Sequence, residues 1–497
     1  MRNLLLGVDI GTSSCKTAVF DPEGKSVAQG GCEYPVSYPR KGWAEQDPAR
    51  WWDGVCRAVR EMMAGNGIDP AEIAGIGTDG QSWSAVALDG TGNVLCPTPI
   101  WTDTRSEEIC RKTSERVTAE KLFSLCGNPA KPGYTWPKIL WYRENRPEVF
   151  AKTEKILQSN SYIVYRMTGE ITQDLSQGYG LACFDMRKGC WDDGMCTELG
   201  IPRKLLPEIV PCHQIVGRLT REAAEQTGLR EGIPVAAGGL DAACGTLGAG
   251  VVSPGQTQEQ GGQAGGMSIC IDQYAADPRL ILGFHVVPGR WLLQGGTTGG
   301  GGALKWLRET MCPELSFAEM SALAESAQPG SGGVTFLPYM AGERSPIWDP
   351  NACGVFFGLH FGVSRAQMIR ACMEGVAFAL RHNLETAAEA GARADVLRAM
   401  GGSANSRIWT QIKADVTGCS MEVPGSDTAT TLGAAMLAGV GTGVWQGFEE
   451  AARQTVCVNR TCEPDPAVRD IYDRGYETYR KLYENLKGLM NGSPDAR

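Results

Sequence analysis

Asp9-Ile10-Gly11-Thr12-Ser13-Ser14-Cys15-Lys16 ends an apolar run that starts at Leu4 and opens a second, 16–20, which stops at the turn Asp21-Pro22-Glu23-Gly24. Two short apolar segments around a small-residue turn predict a β-hairpin at the N-terminus. The turn also carries chemistry. Gly11 lets the backbone approach an anion closely, Thr12 and Ser13 offer hydroxyl and N–H donors, and Asp9, at a strand end, could hold a hydrated Mg2+ through one carboxylate. Such a turn can cradle phosphates, but an ordinary hairpin turn uses the same residues, so other parts of the chain must separate the two readings.

Working outward, strands and helices alternate. From Pro48, the residues Trp52, Val55, Cys56, Val59, Met62 and Met63 recur at three- and four-residue intervals, the stripe of an amphipathic helix. Segments 73–78 and 84–88 read as strands, the second closed by Asp89-Gly90-Thr91-Gly92. In the second half, 257–262 and 267–271 are strand-like around a glycine turn. Ile369, Cys372, Met373, Val376 and Leu380 mark a long helix, and 396–400 leads into Gly401-Gly402-Ser403. Gly and Pro254 punctuate 245–255, which places a domain boundary there, between 1–247 and 248–497.

Size and composition bound the function. A chain of 497 residues predicts about two domains, each with its own core. With 42% hydrophobic and 21% charged residues it reads as a globular protein, and a net charge of −9 argues against nucleic acid or an anionic membrane as partner. The 18 cysteines form no C-x-x-C pair, so neither a zinc site nor a disulfide framework is implied; reduced thiols in a cytoplasmic protein are expected. Asp9 interrupts the Leu4-Leu5-Leu6 run before it reaches signal-peptide length, and no segment approaches the ~18 apolar residues that spanning needs.

Three further glycine clusters follow: Gly261-Gly262-Gln263-Ala264-Gly265-Gly266, Gly299-Gly300-Gly301-Gly302 and Gly401-Gly402-Ser403-Ala404-Asn405. Each alone reads as a tight turn. Together with the first turn they suit a nucleotide enclosed from two sides, with small residues admitting a flat base and Asn405 placed to hydrogen-bond it. Val235-Ala236-Ala237-Gly238-Gly239-Leu240-Asp241 delivers a carboxylate after an apolar strand and a glycine pair. Asp241 fits two roles equally well locally: a helix N-cap, or a base that takes a proton from a hydroxyl attacking a γ-phosphoryl group.

In this order the segments resemble the FGGY family of carbohydrate kinases, over nearly the whole chain. The family's Asp-x-Gly-Thr-Ser matches Asp9 to Ser13, its Gly-Gly-x-Asp matches Gly238 to Asp241, and its adenine loop matches Gly401 to Ala404. Its longer signatures look like Gly133-Tyr134-Thr135-Trp136-Pro137-Lys138-Ile139-Leu140-Trp141, and like Gly354-Val355-Phe356-Phe357-Gly358-Leu359 with the stretch from Gln367 to Glu374. Within the family, Gly42-Trp43-Ala44-Glu45-Gln46-Asp47-Pro48, Trp101-Thr102-Asp103 and Gly342-Glu343-Arg344-Ser345-Pro346 look most like xylulokinases.

The resemblance implies an α/β, two-domain actin-like ATPase fold: duplicated ribonuclease H-like lobes with mixed five-stranded sheets and flanking helices, closing on ATP and sugar. It implies Asp241 as general base, Asp9 and Asp241 near Mg2+, and Gln81, Ser82, Trp83, Asp103 and Asp241 around the sugar. ATP would meet Gly11, Thr12, Ser13 and Lys16 in the N-terminal lobe, and Gly262, Gln263, Gly301, Gly401, Gly402 and Asn405 in the C-terminal one. The implied reaction is phosphorylation of a small ketose, D-xylulose first, or of a related polyol; a homodimer is a common assembly of such enzymes. Two departures bear on substrate. Trp83 stands where xylulokinases usually carry His, replacing a hydrogen-bonding group with an indole. Gln263-Ala264 stands where Gly-Thr-Ser or Gly-Thr-Thr is common, removing a hydroxyl near the phosphates. A sugar or nucleotide sensor on the same scaffold and an actin- or chaperone-like ATPase stay open as alternatives.

Overall fold

The computed structural model describes residues 3–181, 183–425 and 428–492. The chain divides into two compact units. One comprises Met1–Val252, Gly283–Trp291 and Thr428–Val456, the other Ser253–Leu282, Leu292–Asp427 and Cys457–Arg497. This differs from two contiguous halves at 247/248. The segment Thr428–Val456 lies in the second half of the sequence but belongs to the first unit, because its helix Ala429–Gly441 is apolar nearly all round and packs on that unit's sheet.

In the first unit the strand Leu4–Ile10 is buried at every position. It pairs antiparallel with Ser14–Phe20, which pairs antiparallel with Ser26–Glu33, and on its other side it pairs parallel with Ile73–Gly80. Pro234–Ala236 continues the sheet in parallel, giving a five-strand core. The helix Pro48–Asn66 starts at Asp47, whose carboxylate accepts from Ala49 N, and stops at Gly67 in the left-handed conformation. Its stripe of Trp51, Trp52, Val55, Val59, Met62 and Met63 is buried in the core of that unit. Helix Ala429–Gly441 sits so close to the sheet that a Cβ on Gly7 would lie 2.0 Å from Thr431 O and one on Gly77 1.8 Å from Ala434 O. Only glycine fits at these two strand positions.

The second unit repeats the order. Gln256–Gly261 pairs antiparallel with Gly265–Ile271 and parallel with Val396–Met400, which pairs parallel with Ser420–Pro424; Trp291–Thr297 flanks the hairpin. The helix Arg365–Glu389 opens with a capping box of Ser364 and Gln367 and buries Ile369, Cys372, Met373 and Val376. A hairpin followed by parallel crossovers, present twice, is a duplicated α/β fold. Each sheet carries seven strands rather than the expected five. Ile215–Arg218 and the short Gly239–Leu240 widen the first core, and Ile281–Phe284 and Val458–Cys462 widen the second. These short or flanking pairings carry too little periodicity to be read in sequence. None of the 18 cysteines is in a disulfide, and no helix among the described residues is long and apolar enough to cross a membrane.

Candidate active site

In the first unit the opening turn is closed by Gly11 N donating to Ser14 O at 3.0 Å. Tethers from elsewhere in the unit hold it: Tyr34 Oη donates to Gly11 O (2.7 Å), Gln46 Nε2 to Thr12 O (2.8 Å) and Trp101 Nε1 to Thr12 Oγ1 (2.9 Å). Ser13 and Lys16 are exposed, with Lys16 directly across the ladder from Asp9.

Asp9 is buried and its pKa is raised, chiefly by burial, against a hydrogen bond with Asp79 and the charge of Lys16. Asp79, which sequence reasoning missed because the strand seemed to end at 78, is its neighbour in the parallel ladder. It is 0% exposed, and neither of its carboxylate oxygens meets a hydrogen-bond donor. Burial, the charge of Asp9, the hydrogen bond shared with Asp9 and then the charge of Asp241 push its pKa well above the carboxylate range.

Asp241 begins the helix Asp241–Gly248 and is half-buried. The N-cap position falls on Leu240, so Asp241 is not the cap; its Oδ1 instead accepts from its neighbour Ala242 N at 2.7 Å. Burial, then the charge of Asp9, raise its pKa to about 7, which suits a base working near neutral pH. A buried polar network sets its backbone. Leu240 N donates to Ser176 Oγ (2.8 Å), Ser176 Oγ to Asp174 Oδ1 (2.6 Å) and Asn160 Nδ2 to Asp174 Oδ2 (3.0 Å). Gln177 Nε2 in turn donates to Asn160 Oδ1 (2.7 Å), while Gln177 Oε1 accepts from Trp83 N (3.3 Å). The backbones of the strand residue before Asp241 and of Trp83 are thus tied to one carboxylate, Asp174, that no motif announced.

Trp83 is in the left-handed region at φ 54°. Lys138, fully buried, donates to Trp83 O (2.8 Å), Ile100 O (2.8 Å) and Gly133 O (2.7 Å), one carbonyl for each ammonium proton. Burial, with Arg105, pulls its pKa to about 7 while Asp103 acts the other way. The Trp83 ring meets Tyr134 edge-on at 4.5 Å and Tyr179 at 5.9 Å. Gln81 Nε2 donates to Gln46 Oε1 (2.7 Å), leaving Gln81 Oε1, like Tyr134 Oη, buried without a partner. Ser82 is half-buried beside them in sequence.

Asp103 has its carboxylate engaged by its neighbours. It is 0% exposed and accepts from Ala44 N (2.7 Å) and from Arg105 N, Nε and Nη2 (3.1, 2.9 and 2.7 Å). Arg105 also reaches Glu45 at 2.7 Å and stacks 3.7 Å from Trp43. The structure places Asp103 in a buried ion pair that holds the loop carrying Ala44 and Glu45.

The second unit contains a cavity of about 460 Å3 lined by Gly262, Gln263, Gly301, Gly402 and Asn405, with Leu304, Phe317 and Trp409 as an apolar wall. Five of the six residues expected there to contact a nucleotide therefore converge on one cavity. The sixth, Gly401, makes the preceding turn at φ 82°. Ser403, also on the wall, accepts from Lys413 Nζ (2.7 Å), which pairs with buried Glu259 (2.6 Å). Glu343 Oε1 accepts from Thr298 N (2.9 Å), bracing the backbone just before the Gly299–Gly302 cluster.

The residues present suit Mg2+. Asp9 and the donor-free oxygens of Asp79 are hard ligands, and Mg2+ takes one or two carboxylates, completing its octahedron with water and phosphate. No three His, Cys, Asp or Glu side chains among the described residues are arranged to hold an ion by themselves.

Comparison with known proteins agrees with this arrangement. Residues 4–248 match the N-terminal domain, and 274–442 the C-terminal domain, of the FGGY family of carbohydrate kinases. The chain is 31% identical to the xylulose kinase of Bacillus subtilis (strain 168) over 98% of its length and 97% of that protein's. It is 32% identical to the xylulose kinase of Escherichia coli (strain K12) over 98% and 100%. The crystal structure of xylulose kinase from Rhodospirillum rubrum superimposes with a TM-score of 0.92 at 30% identity, covering 98% of this chain and all of that one, 100%. With both domain models matched in sequence order and full-length relatives at this identity, the chain belongs to the FGGY family of carbohydrate kinases and is a sugar kinase.

Proposed function

We propose that this enzyme transfers the γ-phosphoryl group of ATP to a hydroxyl of a small ketose, with D-xylulose, giving D-xylulose 5-phosphate, as the first candidate. The observation that carries the reading is Asp241: a half-buried carboxylate with a pKa near 7, at a helix start, in the unit that also holds the Asp9 turn. In the reaction, the acceptor O–H gives its proton to an Asp241 oxygen as the hydroxyl oxygen bonds to phosphorus and the bond to ADP breaks. Asp241 then releases the proton to solvent. Bound Mg2+, held by Asp9 with help from its neighbours, would neutralise charge on the phosphate oxygens. The turn at Gly11, Thr12 and Ser13 is suited to the phosphates, and the second unit's cavity to the base and ribose. Gln81 Oε1 and Tyr134 Oη are buried polar atoms with capacity for a polyol. Full-length similarity to curated xylulose kinases supports D-xylulose.

A second acceptor class is favoured by one observation. The cluster of Trp83, Tyr134 and Tyr179 presents more aromatic surface than hydrogen-bonding groups, which suits a ketose or polyol with a less hydroxylated end. A coupled ADP-release assay with Mg-ATP over ketopentoses, ketohexoses and polyols, with a no-sugar control, tests both. Saturable turnover with D-xylulose supports the first. Turnover only with another acceptor supports the second, and turnover independent of sugar would refute the kinase reading.

A further inference from the structure

The family motifs direct attention to Asp9 and Asp241, yet the carboxylate with the most unusual surroundings is Asp79. In the parallel ladder it lies beside Asp9, and parallel strand neighbours in register project side chains to the same face of a sheet. On its other side the same strand pairs with Gly239 and Leu240, so the helix that starts at Asp241 begins just past the level of Gly80. Asp79 is fully buried, and neither oxygen finds a donor, although most buried polar atoms do. The neighbouring Thr78 hydroxyl is likewise buried without a partner and does not serve it. The one cation across the ladder, Lys16, faces Asp9 and is exposed.

A buried carboxylate that no donor satisfies is costly unless something else occupies its lone pairs. Here the ladder neighbour is a second carboxylate, and without a cation the two are satisfied only by sharing a proton, which a bound cation would replace. Two adjacent hard-oxygen ligands, with phosphate and water to complete six-fold coordination, are what Mg2+ requires. Asp9 acts on Asp241 through its charge, and Asp241 keeps its own contact to Ala242 N.

We propose that Asp9 and Asp79 together hold the divalent cation, and that Asp241 is left free of the metal to act as base. The proposal rests on the kinase reading for its purpose but not for its test, because cation binding is measured without sugar or turnover. Binding of Mn2+ to the full chain is followed by the electron paramagnetic resonance signal of free Mn2+, for the wild type and for Asp9→Asn, Asp79→Asn and Asp241→Asn.

One site in the wild type is expected, weakened at least tenfold by Asp9→Asn and by Asp79→Asn and less than threefold by Asp241→Asn. Thermal melts accompany the titrations. Without cation, Asp79→Asn is expected to melt close to the wild-type temperature, since the raised pKa keeps Asp79 protonated and Asn replaces one neutral group by another, and Mg2+ is expected to raise the melting temperature of the wild type but not of the variant. If Asp79→Asn fails to fold, Asp79→Ser takes its place. Wild-type Mn2+ affinity in a folded Asp79 variant, loss of binding in Asp241→Asn, or no Mn2+ bound by the wild type would each overturn the proposal. Absence of sugar phosphorylation would leave it standing.

Discussion

Replacing Lys138 by Met removes an ammonium while keeping most of the side-chain volume. Three carbonyls, of Trp83, Ile100 and Gly133, then lose a donor at 2.7 to 2.8 Å inside a dry region. Each unsatisfied buried acceptor costs about 1–3 kcal/mol. Part of that sum is returned because a buried charge disappears, so the net loss is expected to be about 3–5 kcal/mol. At ~2–4 °C per kcal/mol for a unit of this size, the first unit should melt roughly 6–20 °C lower. The three carbonyls immediately precede or belong to Trp83, Trp101 and Tyr134, so the acceptor KM should rise at least ~10-fold as those backbones relax. The cavity of the second unit makes no use of Lys138, and ADP affinity by calorimetry should be unchanged. A Lys138→Met protein that melts within ~2 °C of wild type with an unaltered acceptor KM would show that the three hydrogen bonds are not what orders these backbones. An equal loss of ADP affinity would show that the lesion is global.

Asp241→Asn should lower turnover by about 10²–10⁴ while ADP binding and the melting temperature hold, since the base is lost but not the fold. In the wild type, activity should rise with pH as Asp241 loses its proton, with the inflection below its cation-free value of about 7 once Mg-ATP is bound, because a nearby cation favours the carboxylate; a flat profile over pH 5 to 8 would count against this base. His285 is held neutral: Nε2 contacts Val251 O at 2.8 Å, Nδ1 accepts from Val286 N at 2.9 Å, and burial lowers its pKa to about 4. Its unfolded-state pKa is near 6.5, so the unfolded chain takes up the proton first and stability drains away as pH falls from about 6.5 to 4, by up to ~3 kcal/mol. Urea midpoints across that range should therefore fall more steeply for wild type than for His285→Gln. A Cβ on Gly402 meets nothing within 4 Å, and Gly402 lines the second unit's cavity. Gly402→Val should fold normally yet raise the ATP KM about 10-fold or more by filling that space, with little change in acceptor KM; unchanged ATP kinetics would remove Gly402 from the nucleotide site.

What the sequence determined by itself was local. The hairpin around Gly11, the helix from Pro48, the long helix through Ile369 to Leu380 and the glycine turns are each written in contiguous residues whose periodicity or small size dictates the backbone. The ordered motifs also singled out Asp241 as a candidate base, because a glycine pair before a carboxylate leaves a recognisable signature. Tertiary structure decided what depends on partners distant in sequence. Asp79 looked like the residue after a strand until the parallel ladder set it beside Asp9. Asp103 comes from a motif, but the buried ion pair with Arg105 and the bond from Ala44 N appear only in the folded unit. Lys138 belonged to a motif, but its role lies in three carbonyls 55, 38 and 5 residues away. Helix Ala429–Gly441 belongs to the first unit because Gly7 and Gly77 leave room for it there. Hydrophobic patterning specifies which face of an element is buried, but the burial of a polar group is satisfied by whichever donor the fold delivers, and that is fixed only when the chain has closed on itself.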